Sequence, residues 1–300
     1  MNNSPKDLFE FLLWDNCSNN CKFCWGKFLN KSDKFLNHEQ KIQSIESVKK
    51  FLDSDEYIAG SHVLLVGGEI FDSINPDFNN SLLSLFDFVI EHMLNNKIDL
   101  LYVNTNLIYN DTTTLVQFLQ KIQDNNLFER LKFTTSYDIY GRFDNIDKCM
   151  LMLNNLDMIV NKFPSIHIVA NIILTKQACE LINNKKFSIK VFEDEHKIQV
   201  NTIPYIVLDE EMMADKEEIF KALLTIDNEK PGYLSSYVAN FDLPQKKKLY
   251  EYRAGQYNCL CFCSSQDAAC GHSENFKRYC KEQDRCFVCD IKQLLMMVQE

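Results

Sequence analysis

Three cysteines near the amino terminus, Cys17, Cys21 and Cys24, have the spacing C-x-x-x-C-x-x-C. They follow an apolar run that we predict to be a strand, in a loop rich in residues that tolerate tight turns. Three thiolates can hold a [4Fe–4S] cluster and leave its fourth iron open to a small molecule, whereas four thiolates close the site. The alternatives are a chance triplet or half of a zinc site, but zinc sites pair C-x-x-C with a second two-ligand unit.

A second group of candidate residues follows the next predicted strand, where the run Leu64–Val66 leads into Gly67, Gly68 and Glu69. Glycine lets a backbone approach a ligand closely because it has no side chain. A Gly-Gly-Glu stretch by itself is a weak signal, since it also fits an ordinary turn. Its position at the carboxyl end of the second strand gives it weight, because parallel α/β folds gather functional groups there.

With the aromatic residue Phe23 directly before the third cysteine, the first motif resembles the signature of the radical S-adenosylmethionine superfamily. The Gly-Gly-Glu stretch at 67–69 resembles a second motif of that family. The resemblance implies a [4Fe–4S] cluster on the three cysteines and S-adenosylmethionine on its open iron, with Phe23 and residues 67–69 beside the cofactor. One electron, from a donor such as flavodoxin or ferredoxin, would then cleave the cofactor to methionine and a 5′-deoxyadenosyl radical.

Polar residues at the ends of later strands extend the resemblance weakly. Ser136 and Asn171 match, by position, family contacts to the ribose and carboxylate of the cofactor. The Ser-x-Asp at 136–138 resembles that of peptide-modifying members, and Asn104–Asn106 ends the third predicted strand in a similar way. Hydrogen bonding in ordinary turns explains these residues equally well. The resemblance covers residues 9–207 and weakens after the glycine motif.

A second cysteine-rich segment, residues 259–289, holds seven cysteines. In a reducing compartment this density favours metal ligation, and four thiolates suit either a second [4Fe–4S] cluster or zinc. The simplest ligand set is Cys270, Cys280, Cys286 and Cys289, with Cys259, Cys261 and Cys263 as replacements and His272 as a further zinc ligand. The segment resembles the auxiliary-cluster extensions of peptide-modifying members, although its spacing departs from theirs. The two isolated cysteines, Cys149 and Cys179, are predicted to be buried in the core.

The elements that must position these residues alternate short β-rich runs with helical segments, which is the pattern of parallel βα units. Strands are predicted at Phe9–Trp14, His62–Val66, Leu100–Asn104, Leu131–Tyr137, Ile166–Ile173 and Ile198–Val207. Helices are predicted at 38–53, 77–96, 112–126, 145–162 and 176–184. The predicted fold class is α/β, a partial (βα)6 TIM-like barrel at 1–208, followed by a helical connection at 209–257 and a cysteine-rich metal-binding extension at 258–300.

Composition and charge restrict the partners. The chain has 300 residues, of which 46% are hydrophobic and 25% charged, as in ordered globular proteins. Its 32 basic and 42 acidic residues give a net charge of −10, which disfavours nucleic acid as a partner. No run reaches the roughly 18 apolar residues of a membrane helix, and residues 1–14 lack the features of a signal peptide. We therefore expect a cytoplasmic protein without a membrane partner.

Three functions are open from the sequence. The first, which the motifs favour, is radical hydrogen abstraction from a peptide, a peptide-derived molecule or another small molecule. The second applies the same chemistry to a nucleotide or nucleic-acid base, and only the lysines near Cys24 and at 246–248 support it. The third is a non-catalytic interaction protein that is stabilised by a metal in the cysteine-rich tail.

Overall fold

A computed structural model describes the chain at residues 7–14, 16–19, 21, 22, 24, 36–72, 75–138, 141–143, 145–204, 212, 214–234, 236, 248–253 and 256–261. At 204, 216, 248–253 and 256–261 it describes the backbone and not the side chains. Within these ranges, no helix combines the length and the apolar character that crossing a membrane requires.

One sheet forms the centre of the fold. Its strands are β1 (Leu8–Leu12), β2 (Ser61–Val66), β3 (Ile98–Asn104), β4 (Leu131–Ser136), β5 (Ile168–Leu174), β6 (Gln199–Pro204), β7 (Lys248–Arg253) and β8 (Gln256–Cys261), in the order β6-β5-β4-β3-β2-β1-β7-β8. The pairs from β1 to β6 and the pair β1–β7 are parallel, and β7–β8 is antiparallel. The predicted α/β class is confirmed, and the six parallel strands β1–β6 are consistent with a partial TIM-like fold. Because β1 pairs with β7, these six strands do not close on themselves in the described part of the chain.

Helices connect the successive parallel strands. They are α1 (His38–Leu52), α2 (Pro76–Leu94), α3 (Thr113–Asp124), α4 (Ile146–Lys162), α5 (Lys176–Asn183), α6 (Ile189–His196) and α7 (Lys216–Glu229), with a 3₁₀ turn at Phe128–Arg130. The predicted elements do not include α6. The stretch predicted as a helical connection, 209–257, contains α7 and also the strand β7.

Side-chain caps explain where the first two helices begin. The Asn37 side chain accepts the N–H of Gln40 at 2.9 Å, and the Gln40 side chain accepts the N–H of Asn37 at 2.9 Å, which makes a capping box. Asn75 caps α2 by accepting the N–H of Phe78 at 2.9 Å. Each cap contributes about 1 kcal/mol to helix stability. The caps also fix the ends of the loops that follow β1 and β2.

Burial alternates along the strands, so the two faces of the sheet differ. In β1, Phe9 and Phe11 are buried while Glu10 between them is partly exposed, and β2 and β4 alternate in the same way. The buried face packs with the helices into one core, where each buried aromatic side chain contributes roughly 1.5–3 kcal/mol. Cys149 and Cys179 are buried in this core, as predicted.

Candidate functional site

The loop that follows β1 carries Cys17, Cys21 and Cys24, and all three are half-buried thiols. Asn16, directly before the first cysteine, exchanges two hydrogen bonds with Leu36. The Asn16 Nδ2 donates to the Leu36 carbonyl at 3.1 Å, and its Oδ1 accepts the Leu36 N–H at 3.0 Å. The segment that leads into α1 therefore holds the beginning of the cysteine loop.

Loops that follow two other strands contact the same cysteine loop. After β2, the Asp72 carboxylate accepts the N–H of Ser18 at 3.2 Å. After β4, the Gly141 carbonyl accepts the N–H of Lys22 at 2.7 Å. The carboxyl ends of parallel strands meet at one edge of a sheet, and loops from β1, β2 and β4 therefore come together around the cysteines.

Two asparagines donate N–H groups to the cysteine sulfurs. The Asn19 backbone N–H donates to Cys17 Sγ at 3.4 Å, and its Nδ2 donates to Cys21 Sγ at 3.2 Å. Asn106 Nδ2 also donates to Cys17 Sγ, at 3.4 Å. Such donors stabilise sulfur that carries negative charge and tune the potential of an iron–sulfur cluster. These N–H donors therefore suit thiolate ligands.

Burial raises the pKa of the Cys17 thiol to about 11. The charges of Glu69 and Cys21 also raise it, while the hydrogen bonds from Asn19 and Asn106 lower it. A thiol with this pKa is protonated at neutral pH, whereas the thiolate is the form that binds metal. A metal or cluster that bound this residue would therefore release a proton.

The described residues contain no group of three or more His, Cys, Asp or Glu side chains arranged to hold a single metal ion. A four-iron cluster places different demands on its ligands, because each thiolate binds a different iron and the sulfurs stand farther apart. Three thiols on one loop, with N–H donors on two of them, fit a cluster better than a hard cation, which prefers oxygen ligands.

Gly67 and Gly68 lie at the end of β2, against the residue that precedes the cysteine loop. A Cβ atom at Gly67 would lie 3.1 Å from the Trp14 carbonyl oxygen and 3.1 Å from Ile70 Cγ2. The Gly68 N–H donates to the same Trp14 carbonyl at 2.8 Å. The sequence predicts that these glycines permit close approach to a ligand, but the described close approach at Gly67 is to the chain itself. This contact between the glycines and Trp14 brings the loops after β1 and β2 together.

Glu69 is buried, and its carboxylate accepts hydrogen bonds from other residues of the protein. Its Oε1 accepts the Phe71 N–H at 3.1 Å and the Thr105 hydroxyl at 2.8 Å, and its Oε2 accepts the Asn106 N–H at 2.5 Å. Its backbone N–H donates to the Asn16 carbonyl at 2.8 Å. Burial raises the pKa of this carboxyl to about 7, although the three donors lower it. In this geometry Glu69 joins the loops after β1, β2 and β3.

The loop after β3 carries a contact that the sequence did not reveal. Residues 104–106 were predicted to end a strand, but nothing in the spacing connected Asn106 with Cys17. The sequence indicated only that polar residues follow a buried strand, at the edge of the sheet where functional groups gather. Leu107, the next residue, has a φ of 58°, and this left-handed conformation turns the chain immediately after Asn106.

Ser136 and Asn171 lie beside each other in the sheet. They are register partners in β4 and β5, and Asn171 is in turn the register partner of Asn201 in β6. All three are partly exposed and lie in one row across the three strands. The structure thus brings the two predicted residues together and adds Asn201, which sequence reasoning missed because strand register is not readable from one sequence.

Asp138, the last residue of the predicted Ser-x-Asp, is buried. One of its carboxylate oxygens accepts the N–H of Gly141 at 2.6 Å. The carbonyl of the same glycine accepts the Lys22 N–H, so Asp138 shapes the turn that contacts the cysteine loop.

The remaining predicted site residues lie outside the described residues. These are Phe23, Cys270, Cys280, Cys286 and Cys289. Cys259 and Cys261 lie in β8, where the structure describes the backbone and not the side chains. The second metal site in the tail therefore stays a prediction.

No family model matches the chain, and no curated protein sequence matches it. The function must therefore be inferred from the cysteine loop and from the residues that hold it.

Proposed function

We propose that this chain is a radical S-adenosylmethionine enzyme that holds a [4Fe–4S] cluster on Cys17, Cys21 and Cys24 and abstracts hydrogen from its substrate. The observation that carries the proposal is the cysteine loop, in which three half-buried thiols follow the first of the parallel strands β1–β6 and two of them accept N–H donors. Three thiolates leave one iron open for the cofactor. When bound, the cluster and S-adenosylmethionine supply one-electron cleavage to methionine and a 5′-deoxyadenosyl radical.

The chain's own residues hold the ligands in place before any metal binds. Asn16, Ser18 and Lys22 fix the backbone of the cysteine loop through hydrogen bonds to three separate segments. Asn19 and Asn106 then direct N–H groups at the sulfurs. A site whose supporting residues are already ordered loses less conformational entropy when it binds its cofactor.

The proposed cofactor site extends along the edge of the sheet from the cysteine loop. Ser136 and Asn171, which are neighbours in β4 and β5, are the proposed contacts to the ribose and carboxylate. The backbone of residues 67–69 is the proposed contact to the methionine amino group, and Phe23 is a further proposed contact to the cofactor. The Glu69 carboxylate already accepts hydrogen bonds from the protein itself. Its proposed role is therefore to fix the conformation of residues 67–69.

A peptide or a peptide-derived small molecule is the proposed substrate, because the Ser-x-Asp and the cysteine-rich tail resemble those of peptide-modifying enzymes. The tail would hold a second [4Fe–4S] cluster or zinc. Flavodoxin or ferredoxin would supply the electron, and a reducing cytoplasm would keep the thiols free. Modification of a nucleotide or nucleic-acid base is the second candidate function, because a net charge of −10 disfavours binding to a polyanion.

Anaerobic reconstitution with iron and sulfide tests the cluster. The wild-type protein should absorb at about 400 nm, and S-adenosylmethionine should change the electron paramagnetic resonance spectrum of its reduced cluster. The variant with Ala at Cys17, Cys21 and Cys24 should lose that response and about four irons per chain. Cys179→Ala is the matched control, because Cys179 lies on α5 and is buried in the core.

Two results would contradict the proposal. One is a triple variant that keeps the wild-type iron content and the wild-type response to S-adenosylmethionine. The other is a wild-type protein that binds zinc and no sulfide, which would favour the non-catalytic, metal-stabilised interaction protein.

A further inference from the structure

Asn106 is held in one orientation beside Cys17. Its Oδ1 accepts the N–H of Ile108 at 2.6 Å, so Nδ2 is the end of the carboxamide that faces Cys17 Sγ, at 3.4 Å. Only 6% of the Asn106 surface is exposed. Water therefore competes little with the sulfur for this N–H group, and the low local dielectric strengthens the contact.

Two further side chains hold the backbone of this loop. The Glu69 carboxylate accepts the Asn106 backbone N–H at 2.5 Å. Asn155, on α4, donates its Nδ2 to the carbonyls of Leu107 and Tyr109 at 2.9 Å and 2.8 Å. Glu69 therefore fixes the backbone of Asn106 itself, whereas Asn155 holds the stretch that follows it.

We propose that Asn106 is a positioning residue that raises the reduction potential of the cluster through its hydrogen bond to Cys17. The inference rests on the proposed function and concerns the residue that sets the reduction potential at the same site. A reduced cluster carries one more negative charge than the oxidised cluster, and an N–H donor on a ligand sulfur therefore stabilises the reduced form more. Asn106 thus makes the cluster easier to reduce by its electron donor.

Two variants separate the donor from the rest of the side chain. Asn106→Ala removes the N–H group. Asn106→Asp keeps an oxygen for the Ile108 N–H and places a second oxygen against the sulfur. Loss of the bond should shift the one-electron equilibrium about threefold to tenfold toward the oxidised cluster. The Asp variant should shift it further, because a carboxylate repels the thiolate.

A redox titration of the reconstituted protein, followed by electron paramagnetic resonance, measures this equilibrium, and iron and sulfide assays confirm equal cluster content. Asn155→Ala is the matched control, because it loosens the same loop and leaves the Asn106 carboxamide in place. This control should lower the unfolding temperature without moving the potential.

Three outcomes would overturn the inference. If the wild-type protein holds a cluster and both Asn106 variants keep its potential, the inference is wrong and the proposed function stands. If Asn155→Ala moves the potential as much as Asn106→Ala, the effect belongs to the loop and not to the donor, and the inference is again wrong. A wild-type protein that assembles no cluster on the loop would overturn the proposed function and this inference with it.

Discussion

Replacing Glu69 by glutamine should change how the stability of the protein depends on pH. Only 3% of the Glu69 surface is exposed, and burial raises the pKa of its carboxyl from 4.5 to about 7. A carboxyl whose pKa is raised in the folded state stabilises the fold fully below its unfolded pKa, and this contribution is lost as the pH rises through the folded pKa. For Glu69 the loss therefore runs from pH 4.5 to about pH 7.

The raised pKa corresponds to about 3 kcal/mol of unfolding free energy. Roughly 2 kcal/mol of this is lost between about pH 5.5 and about pH 8.5. Glutamine does not titrate, but its NH₂ group must face either the Asn106 N–H or the donors of Phe71 and Thr105. A buried donor without an acceptor costs about 1–3 kcal/mol at every pH. The variant should be less stable than the wild type at low pH and should approach it at high pH.

Urea unfolding of the reduced, metal-free protein is followed by circular dichroism between about pH 5.5 and about pH 8.5. It measures the difference in unfolding free energy between Glu69→Gln and the wild type. Glu46→Gln is the matched control, because Glu46 is exposed and pairs with Lys49 at 2.9 Å, and it should keep the wild-type pH dependence. A difference between Glu69→Gln and the wild type that is constant with pH would refute the reasoning, because the buried carboxyl would then titrate in its ordinary range.

Two further predictions concern the glycine motif and the tail. Gly67→Val should lower both the unfolding free energy and the bound iron, and Gly67→Ala should do so less, because the added atoms press on the Trp14 carbonyl 3.1 Å away. Wild-type iron content in Gly67→Val would show that this contact does not position the cysteine loop. When the three loop cysteines are replaced by Ala, the tail should still bind metal. Elemental analysis that finds neither iron nor zinc would contradict the second site, and zinc without sulfide would exclude a second cluster.

Hydrophobic patterning was sufficient to predict where the six parallel strands β1–β6 lie in the sequence. Buried residues such as Phe9 and Phe11 alternate with partly exposed ones, and the helices between the strands begin at recognisable caps such as Asn37. The pattern failed for α6, a helix of eight residues that buries only Ile189 and Phe192 and so gives almost no periodic signal. It also failed for β7, because a strand is defined by its partner, and β7 pairs with the distant β1.

The candidate site was predictable where neighbours in the sequence carry the chemistry, as in the spacing of the three cysteines. It was not predictable where loops from different strands meet. The contact between Asn106 and Cys17 joins the loops after β3 and β1, and Glu69 links both to the loop after β2. Sequence reasoning placed Glu69 beside the cofactor, and the structure adds that its carboxylate accepts hydrogen bonds from Phe71, Thr105 and Asn106.

The most direct test of the proposed function is the release of 5′-deoxyadenosine from S-adenosylmethionine by the anaerobically reconstituted, dithionite-reduced protein. The wild type and Cys179→Ala should release it, and the variant with Ala at Cys17, Cys21 and Cys24 should not. Release by the triple variant at the wild-type rate, or its absence from a wild-type protein that carries a full cluster, would contradict the assignment.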